Sequence, residues 1–505
     1  MTKLVYHQKL PRGGRAREGL REKGQFWTPP WVAKAMVAYA LAEGAVSLFD
    51  PAVGAGAFFR AARTFSRDIK LRGVELYENA LEAAREAGIA QSDLAGVRIG
   101  DFLQMPLECC PAIIGNPPYL RHHRISKKKK VFLQNAFLKQ SGIKLDGRAG
   151  LHVYFLIHAL RLLEENGRLA FILPADVCEG VFSSALFTWL TRNYCIDAVI
   201  TFDASATPFP GVDTNPIVLL VRKAQPASTF KWCLCHREGQ DDLVRWVERG
   251  LRCGKYNGLE VFQRSVDEGL GTGLSRAPLT KREGYPFSKF ARTMRGIATG
   301  ENDFFFLTRQ QISDANLSEE YFVRAVGRTR DVPEEILDKA QLDRLDAAGR
   351  PTFLLSLAGH AMPTLPGSLK RYLTRGVRMG LPNRALLQQR KPWYRMESRP
   401  VPPILFAYLG RRNTRFIRNC AGVVPLTGFL CVYPLSTSRH FTDSLFGALN
   451  DPRTLANLSY VGKSYGGGAL KVEPRALERL ILPSAVVRAY GLEQFLSAQQ
   501  VELAL

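Results

Sequence analysis

Between residues 31 and 41 apolar side chains recur at helical spacing, and from there to about residue 225 short apolar blocks alternate with helical patterns. The blocks at 46–50, 69–76, 97–99, 113–115, 167–174, 199–202 and 217–221 predict buried strands, and the strongly apolar stretch 151–163 predicts one of the helices between them. Strands alternating with helices predict an α/β domain on a doubly wound, mostly parallel sheet. Beyond it the pattern changes. Residues 226–285 are poorly periodic and read as a connecting segment. From 286 onward, short strands and loops rich in Arg and aromatic residues predict a second domain of mixed α+β class. The chain thus divides into a basic arm at 1–23, a first domain at 24–225, a connector at 226–285 and a second domain at 286–505.

Charge changes this picture more than any other bulk property. A formal net charge of +23 creates a positive field that attracts a polyanion, so nucleic acid is the leading partner. The arm concentrates Arg12, Arg15, Arg17, Arg21 and Lys23, and the second domain interleaves basic residues with rings, as in Lys391-Pro392-Trp393-Tyr394-Arg395. Such segments suit phosphate contacts and base-edge readout; a basic structural surface or a solvated tail is the plainer alternative. No apolar run is long enough for a membrane span and no secretory leader is visible, so a cytoplasmic protein without membrane contact is expected. Nine scattered cysteines fit reduced thiols. Cys233-x-Cys235-His236 lacks a second ligand pair at finger-like spacing, so no metal site is expected.

The candidate chemistry sits at the ends of the predicted strands. Thr28 stands where a helix cap would, followed by Pro29 and Pro30, an arrangement that leaves helix-start N–H groups for an anion. Asp50 ends the first strand, and Pro51-Ala52-Val53-Gly54-Ala55-Gly56 forms a turn whose glycines allow close approach of a ligand. An acid beside this turn, with no third glycine, disfavours a pyrophosphate cofactor and favours a cationic or hydroxylated one. Glu75, at the end of the second strand, is placed to accept from ribose hydroxyls; Asp101-Phe102 can accept from an adenine amino group and cover its face. Singly, each acid reads as a cap or a solvated side chain; three at successive strand ends point to one shared pocket. The fourth strand ends in Asn116-Pro117-Pro118-Tyr119, a rigid corner offering an amide, proline-flanked carbonyls and a flat ring. Such a corner can grip a planar amino-bearing base, or it is a tight loop whose tyrosine fills the core. Lys127 to Lys130 read as a solvated loop or as charges that steer DNA, and Phe209 as an exposed aromatic in a turn-rich loop.

Together these stretches resemble the γ-class of DNA adenine-N6 methyltransferases of restriction-modification systems. Residues 25–30, Phe26, Thr28 and Pro29 among them, look like that family's first cofactor motif, and the segment from Asp50 through Ala52 and Gly54 to Gly56 is similar to its glycine-loop motif. Asn-Pro-Pro-Tyr arises by chance about once in several hundred chains of this length. The resemblance implies a class I S-adenosylmethionine-dependent fold followed by a target-recognition domain. It also implies S-adenosyl-L-methionine as donor, held by Glu75, Asp101, Phe102 and Asn116 with the motif residues already named. Transfer is implied to N6 of a flipped adenine in double-stranded DNA, with Asn116 and Pro117 accepting the amino hydrogens and Tyr119 and Phe209 stacking on the base. The Gly296-Ile297-Ala298-Thr299-Gly300 segment and the glycines at 466–468 resemble recognition-domain features of large members. The motif is shared with RNA adenine and protein glutamine methyltransferases, so these stay open, as does a non-catalytic DNA-binding partner. A separate endonuclease or defence-system subunit is a possible partner. A fused nuclease is not expected, because only about twenty residues precede the first motif, too few for a domain.

Overall fold

The computed structural model describes residues 27–496 except 179, 181, 211, 213, 279–282, 358–359, 361, 409–413 and 466–468. The basic arm, Phe26, and the glycines at 466–468 therefore lie outside the described residues. The chain forms two compact units, Met1–Leu279 and Thr280–Leu505.

The first unit is built on a nine-stranded sheet. Its strands are β1 (Ser47–Asp50), β2 (Lys70–Glu75), β3 (Val97–Ile99), β4 (Cys110–Gly115), β5 (Leu163–Pro174), β6 (Cys195–Phe202), β7 (Pro216–Arg222), β8 (Thr229–Cys235) and β9 (Leu259–Ser265), in the order β3-β2-β1-β4-β5-β7-β6-β8-β9. Neighbours from β3 through β5 are parallel, β7 runs antiparallel to both β5 and β6, and β9 is antiparallel to β8. This is the doubly wound, mostly parallel sheet the apolar blocks predict. The connector expected at 226–285 is corrected here, because it contributes β8 and β9 to the same sheet. Its period was hard to read because β9 is half-exposed and carries charged residues between its apolar ones.

Alternation along the central strands feeds two cores. Ile113, Leu169, Phe171, Leu173 and Leu219 point to one face, beneath the helix Leu151–Arg161. Ile114, Ala170, Ile172, Val218 and Leu220 point to the other, with residues of the helix Pro30–Ala40 and Trp246. Seven of the eleven residues of Pro30–Ala40 are buried, so tertiary packing rather than amphipathicity holds this helix. A fully buried side chain of Val, Phe or Met size contributes about 1.5–3 kcal/mol. That packing fixes the position of the residues just ahead of the helix, Thr28 and Pro29.

The second unit has a five-stranded sheet of Ala291–Arg295, Phe429–Pro434, Ile404–Ala407, Arg415–Asn419 and Ile336–Leu337, and a four-stranded one that includes Phe322–Val326 and Phe353–Leu355. With the helices Gly367–Arg378 and Arg439–Asn450 it is the mixed α+β fold expected. Its 296–300 segment is a tight loop: a Cβ on Gly296 would stand 2.2 Å from the Leu426 carbonyl oxygen, and Gly300 has φ +84°. The buried side of the loop is held by Arg390, which donates to the Ala298 and Thr299 carbonyls. Among the described residues, no helix is long and apolar enough to cross a membrane.

The edge of the first sheet leaves no slack at Gly73, where a Cβ would lie 2.4 Å from Val53 Cγ2 and 2.7 Å from the Asp50 carbonyl oxygen. Gly73→Ala is expected to lower unfolding free energy by about 1–3 kcal/mol through overpacking. Gly271→Ala, whose Cβ would meet nothing within 4 Å, is expected to be neutral or slightly stabilising. Urea unfolding of both variants checks the contrast.

Candidate active site

In a parallel sheet every strand ends on the same edge, and the crossovers reverse direction between β1 and β4, with β2 and β3 to one side and β5 to the other. Ligands bind at that reversal, outside the carboxyl ends. Asp50 is the last residue of β1 and Glu75 the last of β2; Asp101 follows β3 by two residues, and Asn116 follows β4 directly. The structure thus gathers all four strand-end residues on one edge.

The acids organise the backbone around them. Asp50 Oδ1 accepts from the Ala52 N–H at 2.9 Å, and Glu75 Oε2 accepts from the Gly54 N–H at 2.8 Å. Glu75 Oε1 accepts from the N–H groups of Leu76 and Tyr77 at 2.9 and 3.0 Å. The two carboxylates therefore shape the glycine turn from both sides. Gly54 has φ +52° and open space above it, since a Cβ there would meet only the Ala52 carbonyl oxygen at 3.9 Å. Gly56 differs: at φ +70° it starts the helix Ala57–Arg63, and a Cβ would press on Ile89 at 2.9 Å, so packing accounts for this glycine.

One atom in this cluster lacks a partner among the described residues. Asp50 is fully buried, and its Oδ2 accepts no hydrogen bond. Burial raises its pKa to about 8, with the Ala52 N–H opposing and the Glu75 charge adding to the rise. A cationic, hydrogen-bond-donating ligand above Gly54 fits such an oxygen, because it would compensate both the missing bond and the buried charge.

Thr28 does not cap the helix. Pro29 occupies the N-cap position, and the Thr28 hydroxyl instead accepts from Asn116 Nδ2 at 3.2 Å. Two consecutive prolines move the helix start one residue onward, which releases the hydroxyl to hold the Asn116 amide. Asp101 is also engaged. Burial pulls its carboxyl upward, but Lys129 Nζ at 2.8 Å, the Leu103 N–H and Gln104 Nε2 more than offset this and hold it below the ordinary value. The lysine run is thus not a loop: it opens the helix Lys127–Ser141 and sends its third lysine back to the strand edge.

The aromatic expectations need two corrections. Phe102 covers no open face; it is 2% exposed, packed against Phe155 and His158 with ring centroids 5.0 and 4.8 Å away. Its apolar surface gains more in the core than at the rim. Phe209 is buried rather than exposed, and its ring meets Tyr119 edge to face, with centroids 6.2 Å apart and planes at 79°. The pair is brought together as expected. A base stacked between two rings needs them parallel and about 7 Å apart, twice the van der Waals spacing, so one ring must turn to admit it.

Behind Tyr119 lies a residue that the strand-end logic misses. His152, in the first turn of Leu151–Arg161, is 3% exposed, stacks edgewise on Tyr119 at 6.2 Å and has Nε2 3.6 Å from Asp176 Oδ1. Burial lowers its pKa to about 3, so it is neutral; burial, then the Asp176 charge, raise that of Tyr119. A Cβ on Gly150 would strike the His152 ring at 2.6 Å and the Leu120 carbonyl oxygen at 3.0 Å, and that oxygen accepts from the Leu151 N–H at 2.9 Å. The only sequence signal is a polar residue at 152 inside an apolar helix. Elsewhere, Cys233 and Cys235 are buried in β8 while His236 pairs with Glu260, and the described residues hold no cluster of three metal-ligating side chains.

Comparison with known proteins finds similar chains. The family model described as Eco57I restriction-modification methylase matches residues 111–209, and that described as type II methyltransferase M.Eco57I, C-terminal domain, matches 277–503. The chain is 26% identical over 474 residues to the type II methyltransferase M.AccI of Acinetobacter calcoaceticus, covering 92% of this chain and 85% of that one. It is 26% identical over 477 residues to M.XamI of Xanthomonas campestris pv. amaranthicola, covering 91% and 85%. Its fold is similar to that of the type IIL restriction-modification enzyme MmeI, solved in complex with DNA, with a TM-score of 0.52 and 16% identity. That match covers 93% of this chain but 64% of the larger enzyme, so the chain spans less than two-thirds of it.

The Asp50 carboxyl sets a pH dependence. Its ordinary pKa is 3.8 and its folded value about 8, so its cost to folding grows as pH rises between those values and is constant above them. Asp50→Asn is therefore expected to gain stability over the parent from pH 5 to pH 8, by on the order of 1 kcal/mol per pH unit. Urea unfolding across that range reads the difference; a pH-independent gap would mean that Asp50 ionises normally.

Proposed function

We propose that this chain, similar over 111–209 and 277–503 to the Eco57I restriction-modification methylase models, transfers a methyl group from S-adenosyl-L-methionine to N6 of a flipped-out adenine in double-stranded DNA. The observation that carries this reading is the meeting of Asn116-Pro117-Pro118-Tyr119 with three acids on one carboxyl edge of the sheet. In this reading residues 27–225 hold the chemistry and the second unit recognises the target sequence.

Bound S-adenosyl-L-methionine supplies an electrophilic methyl group on a positively charged sulfur. Asp50 Oδ2 provides the acceptor that the cationic part of this cofactor requires. Glu75 stands at the position for ribose hydroxyls, and Asp101 exchanges Lys129 or Gln104 for an adenine amino group. Because Asn116 donates its Nδ2 to Thr28, its Oδ1 is directed to other donors. That oxygen and the Pro117 carbonyl accept the two amino hydrogens of the target base, which keeps the nitrogen lone pair out of the ring and available to attack. No covalent enzyme intermediate is needed; positioning and fixed dipoles supply the acceleration. Tyr119, backed by His152, stacks on the extruded base, and Phe209 turns to cover its other face, which offsets part of the cost of unstacking.

Incubation with tritiated S-adenosyl-L-methionine and mixed DNA, followed by mapping of modified bases, is expected to place the label on adenine N6 within one short sequence. Label found only in RNA or protein would overturn the assignment. Asn116→Ala is expected to lower kcat at least a hundredfold, roughly the loss of an electrostatic contact made in the transition state, while cofactor affinity stays within a few-fold. For Phe209→Ala, 2-aminopurine at the target is expected to lose the fluorescence change that reports base capture.

A further inference from the structure

From residue 347 to 396 the chain contains no Asp or Glu, although the whole sequence has 46 in 505 residues. At that average the stretch would hold about four or five acids. It carries instead nine Lys and Arg. Four of these act within the fold: Arg350 pairs with Asp331, Arg384 with Glu301, Arg390 holds the 298–299 carbonyls, and Lys370 donates to the Pro363 carbonyl. The remaining five, Arg371, Arg375, Arg378, Lys391 and Arg395, are exposed and form no ion pair among the described residues.

Their arrangement is regular. Arg371, Arg375 and Arg378 follow i, i+4, i+7 spacing on the helix Gly367–Arg378, which buries Leu369, Leu373 and Gly376 on its opposite face. At 1.5 Å per residue they form a line roughly 10 Å long. The segment bearing Lys391 and Arg395 meets this helix at its buried face, since a Cβ on Gly376 would lie 2.6 Å from Trp393 Cη2, so the stripe itself consists of the three arginines. Like charges four residues apart repel each other and weaken the helix. Helix-dipole attraction favours the two arginines of the last turn, but explains neither Arg371 nor the absence of acids over the stretch. A stripe that costs the helix stability and forms no ion pair among the described residues has the chemistry of a surface for an extended polyanion.

We propose that the outer face of the helix Gly367–Arg378, with Arg371, Arg375 and Arg378, lies along the phosphate backbone of double-stranded DNA and sets binding strength rather than sequence choice. This rests on the reading of the second unit as a DNA-binding unit. Because the contacts are to phosphates, each releases counterions, and each lost contact lowers the slope of log affinity against log salt by about 0.9.

The test measures binding of the full chain to a labelled duplex of arbitrary sequence by fluorescence anisotropy over a salt titration. Replacing Arg371, Arg375 and Arg378 together by Gln is expected to lower the slope by about 2–3, with a melting temperature that does not fall. Replacing the same three by Lys is expected to restore the slope. A control that removes equal charge from exposed, ion-paired sites, Arg245→Gln, Arg439→Gln and Arg488→Gln, is expected to change it by less than about one. A stripe variant that behaves like this control would overturn the proposal, even if methyl transfer to DNA were intact. A steep slope that the stripe variant lowers, in a protein that methylates no DNA, would uphold the stripe and overturn the catalytic reading instead.

Discussion

Parallel pairing makes the ends of β1 to β4 converge on one side of the sheet, and the chemistry of the first unit hangs on what that shared edge can tolerate. A carboxylate at the end of a buried strand loses its water and must replace it. Asp50 replaces only half: the Ala52 N–H bonds one oxygen, while the other has no partner among the described residues, and burial raises the pKa of the group to about 8. Glu75 accepts from three backbone N–H groups, at least one on each oxygen, and through Gly54 it fixes the turn above Asp50. These neighbouring acids are used differently: Glu75 builds the turn, and Asp50 keeps one oxygen unbonded among the described residues.

The Asn116–Tyr119 corner is held from two sides by elements far apart in the chain. On one side Thr28, positioned by a helix buried nearly all round, orients the Asn116 amide. On the other, the first turn of Leu151–Arg161 bonds the Leu120 carbonyl and sets His152 against Tyr119, an approach possible only because Gly150 lacks a side chain. Two prolines stiffen the corner between these supports. Tyr119 and Phe209 close on each other edge to face, since two exposed aromatic rings would forfeit apolar burial. Any planar ligand placed between the two rings would have to displace that contact.

Electrostatics in the second unit works by omission. Arg350 and Arg384 neutralise acids that lie outside the 347–396 stretch, and Arg390 satisfies loop carbonyls. Within the stretch no acid competes for the remaining cations. Gly296 and Gly300 suit this loop for different reasons: the first admits the Leu426 carbonyl oxygen at close range, and the second takes a left-handed turn.

Much of this was legible in the sequence because it is local. Apolar periodicity, the acids at strand ends and the stiff Asn-Pro-Pro-Tyr corner depend on near neighbours in the chain, so they indicated a doubly wound sheet and its reactive edge. Residues 226–285 were harder to read, since β9 alternates weakly and belongs to the sheet only through its pairing with β8. Tertiary structure alone decided how each side chain is used. Thr28 bonds Asn116 across 88 residues instead of capping its helix, Lys129 returns to Asp101, Phe102 sinks into the core, and His152 comes up behind Tyr119. A sequence states which groups a strand end carries, but burial and long-range partners set their protonation, orientation and freedom, and those exist only once the sheet has closed around them.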